Sequence, residues 1–341
     1  MFHSLSGSRP PLVVSIGDPS GVGPDILLSS FANNRVDLPE NILVLADPDQ
    51  LRVRTKELEL AIEITEYDAH SSDTISPNQL AVVPLANKMT GKAGISNTAD
   101  AAGTLEAIER GVEMVMKGKA SGLVTCPINK KVLQDAGFSH PGHTEFLAEL
   151  AELHTGNAHF PVMMIAGPEL RVIPVTIHIP LLDIPKALTK EIIIETAEIA
   201  AHGLNQQFGI SSPRLAVSGL NPHAGERGNM GHEDIEIIMP AIEALKNSGI
   251  DAFGPLPADT MFHAAARQNY DVAICMYHDQ ALIPAKAIGF DDSVNVTLGL
   301  PFIRTSPDHG TAYDIAGTGK ANPSSFIAAM QMASNMANST I

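Results

Sequence analysis

Short runs of Val, Ile and Leu alternate along the chain with longer stretches in which apolar residues recur every three or four positions. The short runs are typical of buried strands, and the longer stretches are typical of helices that pack on one face. This alternation predicts an α/β protein with a mostly parallel sheet covered by helices. The predicted strands are 12–16, 41–45, 80–85, 122–125, 162–166, 171–177, 214–218, 272–276 and 293–297, and the predicted helices are 98–117, 186–208, 233–247 and 323–335.

A glycine-rich turn, 17–23, follows the first predicted strand and leads into a helix that opens at Pro24. Turns of this kind bind phosphate where backbone N–H groups and a helix N-terminus converge. The glycine spacing is not that of the dinucleotide fingerprint GxGxxG, and 317–321 lacks the spacing of a Walker motif. The turn is therefore interpreted as a tight strand-to-helix connection, and no cofactor-binding residues are assigned.

The length of 341 residues predicts about two structural units, and no linker or repeat separates them, so we expect intertwined units. Residues 1–11 contain Ser, Gly, Pro and Arg without the apolar core of a signal peptide, and they are expected to form a short disordered lead. No apolar run approaches the ~18 residues that span a bilayer. A cytoplasmic protein is expected.

Acidic residues outnumber basic residues by 38 to 22, which gives a formal net charge of −16. Such a field repels polyanions and argues against nucleic acid or an anionic membrane as a partner. A small anion can still bind where positive groups are gathered locally. The two cysteines, Cys126 and Cys275, lie in no CxxC pair and are expected to be buried small apolar residues.

Three histidines follow three separate predicted strands: His178, His223 and His278. Ligands bind at the carboxyl ends of strands in open α/β sheets, so these imidazoles are expected to converge. Three neutral imidazoles with open positions form a catalytic divalent-metal site of the zinc type. Any one of them alone is better explained as a hydrogen-bonded structural histidine, but three at the same position relative to a strand favour the metal site. Asp259 and Asp279 are candidate carboxylates that orient a ligand imidazole, although turn capping also explains them.

A second set of residues is suited to hold an anion. His143 and Thr144 open a predicted helix, where N–H groups, a hydroxyl and an imidazole face the same space. Lys286, Asn295 and Arg304 follow in segments with few other cations, and arginine binds phosphate through paired hydrogen bonds. A surface salt bridge is the alternative explanation for each lone cation.

Six motifs closely resemble the 4-hydroxythreonine-4-phosphate dehydrogenase family of vitamin B6 biosynthesis, and the resemblance runs from about residue 12 to beyond 319. The motifs are GDPSGVGPD at 17–25, PGHTEF at 141–146, GLNPHAGE at 219–226, GPLPADT at 254–260, YHDQ at 277–280 and GLPFIRTS at 299–306. The resemblance implies α/β/α layers like those of the isocitrate and isopropylmalate dehydrogenases, with an active-site cleft between two subdomains. The expected subdomains are 12–125 plus 285–341, and 126–284 with the dimer interface.

The family's site residues correspond to positions of this chain without departure. Its metal ligands fall on His178, His223 and His278, the last expected from the partner subunit of a homodimer with shared active sites. Its substrate-binding residues fall on His143, Thr144, Lys286, Asn295 and Arg304, and its supporting carboxylates fall on Asp259 and Asp279. The implied cofactors are NAD or NADP and one divalent ion per site, namely zinc, magnesium or cobalt.

The implied reaction is oxidation of 4-phosphooxy-L-threonine to 2-amino-3-oxo-4-phosphooxybutanoate, which decarboxylates to 3-amino-2-oxopropyl phosphate. A metal-bound water, Lys286 and a histidine remain open as the group that removes the hydroxyl proton. Two alternative functions are also open. A sister dehydrogenase of 4-phospho-threonate or 4-phospho-erythronate would keep the metal and phosphate residues, whereas a phosphate-dependent acyltransferase would need neither the three histidines nor a metal.

Overall fold

A computed structural model describes residues 9–68 and 79–339 of the chain. Most of the predicted disordered lead, residues 1–8, lies outside the described residues. The described chain divides into two compact units. The first contains the described part of Met1–Phe160 together with Leu300–Ala337, and the second contains Pro161–Gly299 and residues 338–339. Each unit is α/β, as the alternation of apolar runs predicts.

The strands are described in chain order. They are β1 (Leu12–Ser15), β2 (Ile42–Ala46), β3 (Glu63–Glu66), β4 (Gln79–Pro84), β5 (Gly122–Thr125), β6 (Val162–Ala166), β7 (Arg171–Thr176), β8 (Leu215–Ser218), β9 (Ala252–Leu256), β10 (Val272–Tyr277), β11 (Val294–Leu298) and β12 (Arg304–Pro307).

The helices are likewise numbered along the chain. They are α1 (Gly23–Asn33), α2 (Pro48–Glu57), α3 (Ala101–Met116), α4 (Lys130–Asp135), α5 (His143–Thr155), α6 (Ile184–Ala187), α7 (Lys190–Phe208), α8 (Met239–Asn247), α9 (Ala258–Met261), α10 (Ala264–Arg267), α11 (His278–Ile288) and α12 (Ser324–Ser339). Within the described ranges, no helix is long and apolar enough to cross a membrane.

The strands of the first unit pair in the order β3-β4-β2-β1-β5-β12, and every pair is parallel. All four residues of β1 are buried, since this strand lies between β2 and β5 and its faces are covered. Helix α3 packs against these three strands. The continuous apolar run of β1 therefore reflects burial on both faces, which is typical of parallel sheets.

The glycine-rich turn after β1 is held by buried polar contacts of the first unit. Gly17 has φ +73°, and a Cβ at this position would lie 2.4 Å from the carbonyl oxygen of Pro127, so glycine is required. Beyond the turn, Asp25 forms an ion pair with Arg54, and both side chains are buried. Asp25 also accepts a 2.6 Å hydrogen bond from the backbone N–H of Gly317. This network supports the interpretation of the turn as a tight connection.

The strands of the second unit pair in the order β11-β6-β7-β10-β8-β9. β6 pairs antiparallel with both β11 and β7, whereas β7, β10, β8 and β9 are mutually parallel. A core cluster that includes Val172, Ala216 and Ala273 fills the region between this sheet and its helices. The parallel half of the sheet directs the carboxyl ends of β7, β10 and β8 to one edge.

Two predicted helices differ from the helices that form. The predicted helix 186–208 is interrupted before Lys190, because the Thr189 side chain accepts a hydrogen bond from the backbone N–H of Ile192 and starts a new helix. The predicted helix 233–247 begins with a π-helical turn, Asp234–Ile238, before α8.

The pattern misses strands β3, β9 and β12. β3 is a polar strand with no buried residue, β9 contains a Gly-Pro pair, and β12 begins with an arginine.

The compact units divide the chain at different positions from the expected subdomain boundaries. Residues 126–160 belong to the first unit because α5 packs on α3, and 285–299 belong to the second because β11 pairs with β6.

Candidate active site

Two of the three strand-end histidines lie next to each other in the second unit. His178 comes two residues after β7, and His278 directly follows β10 and opens α11. β7 and β10 are parallel neighbours in which Thr176 pairs with Tyr277, so both histidines emerge at the same edge. Their ring centroids are 5.6 Å apart with the planes inclined by 41°. This spacing allows both imidazoles to face one small ligand.

A carboxylate fixes one of these rings. His278 Nδ1 lies 2.7 Å from Asp279 Oδ1, and the side chain of Asp279 is exposed. A carboxylate at Nδ1 orients the ring and leaves Nε2 as the nitrogen that is available to a ligand. We call His178, His278 and Asp279 the histidine edge.

His223 lies in a tight turn after β8, the neighbour of β10 on its other side. Its backbone has φ +54°, and positive φ values continue through Arg227. Buried Asp234 stabilises this strained turn by accepting hydrogen bonds from the backbone N–H groups of Leu220, at 2.8 Å, and Asn221, at 3.3 Å. Non-glycine residues with positive φ are unfavourable, so a turn of this kind is stable only where surrounding contacts stabilise it.

The three predicted metal ligands do not form one cluster within a single chain. Among residues 9–68 and 79–339, no group of three or more His, Cys, Asp or Glu side chains is close enough to hold a metal ion. Asp259 is exposed in the first turn of α9, which packs against the turn that carries His223. The pair His178 and His278 provides imidazole nitrogens of the type that zinc and cobalt prefer, so these residues fit part of a divalent-metal site.

Two predicted substrate residues also belong to the second unit. Lys286 lies in the last turn of α11, and its Nζ is 5.4 Å from the ring centroid of Phe290. Asn295 lies in β11 opposite Ile165 of β6 and is partly buried. Both residues are therefore carried by regular elements.

The other predicted substrate residues lie in the first unit. Arg304 is the first residue of β12, is only 3% exposed, and donates a 2.7 Å hydrogen bond from Nη2 to Thr125 Oγ1 at the end of β5. Burial lowers the pKa of Arg304 to about 10, so the guanidinium keeps its charge at neutral pH. His143 and Thr144 open α5, whose N-terminal flanking residue, Gly142, offers no capping side chain.

The His143 imidazole is neutral at neutral pH. Burial, and then the charges of Arg304 and Lys130, lower the pKa of His143 well below its usual value. Within the described part of the chain, its buried Nε2 has no hydrogen-bond partner. A buried ring nitrogen in this state is available to a water molecule or to a ligand group. We call Thr125, Lys130, His143 and Arg304 the cationic cluster.

Two members of the cationic cluster, Thr125 and Lys130, are absent from the sequence prediction. Thr125 ends β5, and Lys130 follows five residues later at the start of α4. Both lie at the carboxyl end of a parallel strand, which is the signal that identified the three histidines. A search for polar side chains after the predicted strand 122–125 would therefore have found Thr125 and Lys130.

The fold and these residues together define a class of protein. An α/β fold with paired imidazoles at strand ends, and with a buried arginine near a neutral histidine, is typical of enzymes that bind small ligands at the carboxyl ends of their strands. Residues 38–333 match the family model described as pyridoxal phosphate biosynthetic protein PdxA, and the chain belongs to this family.

Relatives and solved structures agree with this assignment. The 4-hydroxythreonine-4-phosphate dehydrogenase of Bradyrhizobium diazoefficiens is 52% identical over 336 residues, which cover 96% of this chain and 97% of that protein. The crystal structure of 4-hydroxythreonine-4-phosphate dehydrogenase from Klebsiella pneumoniae has a TM-score of 0.87 at 34% identity and covers 96% of this chain and 100% of that chain. The predicted family resemblance is confirmed.

A more distant structure shares the fold alone. A branched-chain phosphotransacylase from Enterococcus faecalis has a TM-score of 0.54 at 13% identity, covering 96% of this chain and 99% of that chain. At this identity the likeness concerns architecture and carries no activity.

Proposed function

We propose that the protein oxidises 4-phosphooxy-L-threonine to 2-amino-3-oxo-4-phosphooxybutanoate in pyridoxal phosphate biosynthesis, with NAD or NADP and a divalent metal ion. The oxo acid then loses carbon dioxide to give 3-amino-2-oxopropyl phosphate. The observation that carries this proposal is the histidine edge in a member of a dehydrogenase family. Paired imidazoles with an orienting carboxylate suit a bound metal ion, which an acyl transfer to phosphate would not need.

The residues of the histidine edge would hold zinc, magnesium or cobalt. His178 and His278 would contribute imidazole nitrogens, and Asp279 would keep the His278 ring oriented through Nδ1. When bound, the metal polarises the substrate's C3 hydroxyl and the nicotinamide accepts the hydride. His223 and Asp259 stay in the proposal as the third ligand and as a second orienting carboxylate.

The phosphate of the substrate would be bound by positive and neutral donors of the chain. Arg304 keeps its charge and is held in place by Thr125, so its guanidinium is positioned before substrate binds. His143 and Thr144 offer side-chain and N-terminal donors at the start of α5, with Lys286 and Asn295 as further substrate contacts. Binding at the phosphate fixes the distant reacting carbon, which is how remote contacts increase the rate.

The proposal includes a homodimer with shared active sites, in which the resemblance implies that the His278 ligand of each metal site comes from the partner subunit. A single chain brings together two of the three histidines, and exposed apolar side chains follow His178 directly. Leu181 and Leu182 are 69% and 88% exposed, which is unusual for leucine next to a polar site. Light scattering should give twice the chain mass, and an active monomer would contradict this part of the proposal.

We also propose that the enzyme acts in the cytoplasm. Cys126 and Cys275 are free and buried, which is typical of proteins in a reducing compartment. Fractionation of cells that express the tagged chain should recover it with the cytoplasmic enzymes.

A cofactor-reduction assay tests the activity. We expect 4-phosphooxy-L-threonine to reduce NAD or NADP and a chelator to abolish the reduction, with a much lower rate on 4-phospho-erythronate and 4-phospho-threonate. Preference for either sugar acid would favour the sister dehydrogenase. Acyl transfer to phosphate that survives the chelator would favour the acyltransferase.

Substitution of the cations tests phosphate binding. Losing a charge-assisted contact to an ion costs about 1.5–3 kcal/mol, so Arg304→Ala and Lys286→Ala should each lower kcat/KM about tenfold to a hundredfold with metal content unchanged. Both variants should lose most of the preference for phosphorylated over unphosphorylated hydroxythreonine. Lys117→Ala, whose lysine pairs with Glu113 on the surface, is the control. Unchanged preference in both variants would place the phosphate elsewhere.

A further inference from the structure

The side chain of Lys130 extends over the N-terminus of α5. A Cβ added at Gly142, the residue before this helix, would lie 3.1 Å from Lys130 Nζ, 3.2 Å from its Cε and 3.1 Å from Oε2 of Glu145 in the first turn of α5. Glycine at this position therefore leaves the space through which the lysine passes. The ammonium group lies where α5 exposes the N–H groups of its first turn, because Gly142 provides no capping side chain.

Lys130 and Arg304 both act on the same imidazole. Their positive charges are the two electrostatic contributions that, after burial, lower the pKa of His143. Two cations around one buried neutral ring repel each other, and the Nε2 of that ring has no hydrogen-bond partner within the described residues. An anion in this space would relieve the repulsion and satisfy the nitrogen.

The pairing of Lys130 differs from that of its neighbour. Lys131 forms an ion pair with Asp135 at 2.5 Å, one helical turn further along α4. Lys130 forms no ion pair with any carboxylate in the part of the chain that the structure covers. Lys130 and Arg304 both act on His143, so an external anion near this ring would be attracted by two positive charges, while the Glu145 carboxylate limits the space that it can occupy beside Lys130.

We propose that Lys130 is a further substrate-binding residue, whose ammonium contacts the phosphate of the substrate together with Arg304 and His143. This inference rests on the proposed function, since it assigns one more contact to the same phosphorylated substrate. The helix N-terminus of α5 adds backbone donors to the side chains, and a phosphate dianion suits this combination. Lys130 is exposed, so it contributes less than buried Arg304.

Three variants test the assignment. Lys130→Gln should raise KM for 4-phosphooxy-L-threonine and the dissociation constant of inorganic phosphate, each about fivefold, with kcat nearly unchanged. Lys131→Gln, the matched control, should leave both constants at wild-type values. Lys130→Arg should restore most of the affinity, because it keeps the positive charge. Thermal unfolding of all three variants should match the wild type.

Binding of inorganic phosphate, measured by calorimetry on the purified full chain, separates this inference from the proposed function. If the wild type binds phosphate but does not oxidise 4-phosphooxy-L-threonine, the proposed function fails and the phosphate titration still decides the role of Lys130. Equal phosphate affinity in Lys130→Gln and Lys131→Gln would overturn the inference. Absence of phosphate binding by the wild type would overturn it as well.

Discussion

The cationic cluster and the histidine edge differ in how far a single chain completes them. In the cationic cluster, Arg304 is buried and hydrogen-bonded to Thr125, and His143 is neutral before any ligand binds. In the histidine edge, His278 is partly exposed, its carboxylate partner is exposed, and three ligands do not meet within the described chain. The cationic cluster is therefore preorganised, whereas the residues of the histidine edge lie at the surface of the chain.

Function and stability depend on different residues in the two sites. Each buried charged group of the first unit needs its partner for stability, because an unpaired charge in the interior has a large desolvation cost. Exposed imidazoles at strand ends are supported by the strands themselves, and water solvates them when no ligand is present. Substitutions of buried ion-pair partners in the first unit should therefore change stability, whereas substitutions at the histidine edge should change metal binding and activity.

The largest expected effect is loss of activity from the histidine edge. His278→Ala removes an imidazole from the first turn of α11 and should lower kcat more than about a thousandfold, since the metal supplies several kcal/mol to the reaction. Metal measured by mass spectrometry should fall below stoichiometric, while the melting temperature stays near that of the wild type. The control is His202→Ala, an exposed histidine of α7. Stoichiometric metal in His278→Ala would show that His278 is not a ligand.

The next effect is on stability in the first unit. Asp25→Ala removes the buried carboxylate partner of the Arg54 guanidinium, leaves it with the more exposed Glu57, and should lower the free energy of unfolding by about 3–5 kcal/mol. Denaturant unfolding measures this change, and metal content of the folded fraction should stay at the wild-type level. Asp49→Ala breaks an exposed ion pair with Arg52 and should have a much smaller effect. Equal destabilisation in the two variants would contradict the expected difference between a buried and an exposed ion pair.

The smallest effect concerns the pH dependence of stability. The pKa of His143 is lower in the folded chain than its unfolded value of about 6.5, so the unfolded state binds the proton more readily. The stability that neutral His143 contributes to the folded state is fully present above about pH 6.5. It is lost as the pH falls below this value, and the free energy of unfolding then decreases by at most about 1.4 kcal/mol per pH unit. His143→Asn should therefore lose less stability than the wild type between pH 7 and pH 5. His202→Asn should follow the wild type, and parallel curves for wild type and His143→Asn would show that His143 titrates normally.

The local pattern of apolar residues predicts most of the strands of the fold. Strands β5 and β6 form over the residues predicted for them, because their short continuous apolar runs suit burial on both faces. β12 was missed because its burial comes from its neighbours and from α12, where Thr305 donates a hydrogen bond to the Ala329 carbonyl oxygen, and its own residues show no apolar pattern.

Local apolar runs and motifs are enough to predict the α/β class, the family, and the placement of His178, His223 and His278 after strands. The position of β7 beside β10 is visible only in three dimensions, and it brings His178 beside His278 although a hundred positions separate them. The same holds for the lowered pKa of His143, because burial of the ring follows from packing and the charge of Arg304 comes from a distant strand. Electrostatic environment depends on distance in space, and a local pattern along the chain does not contain that distance.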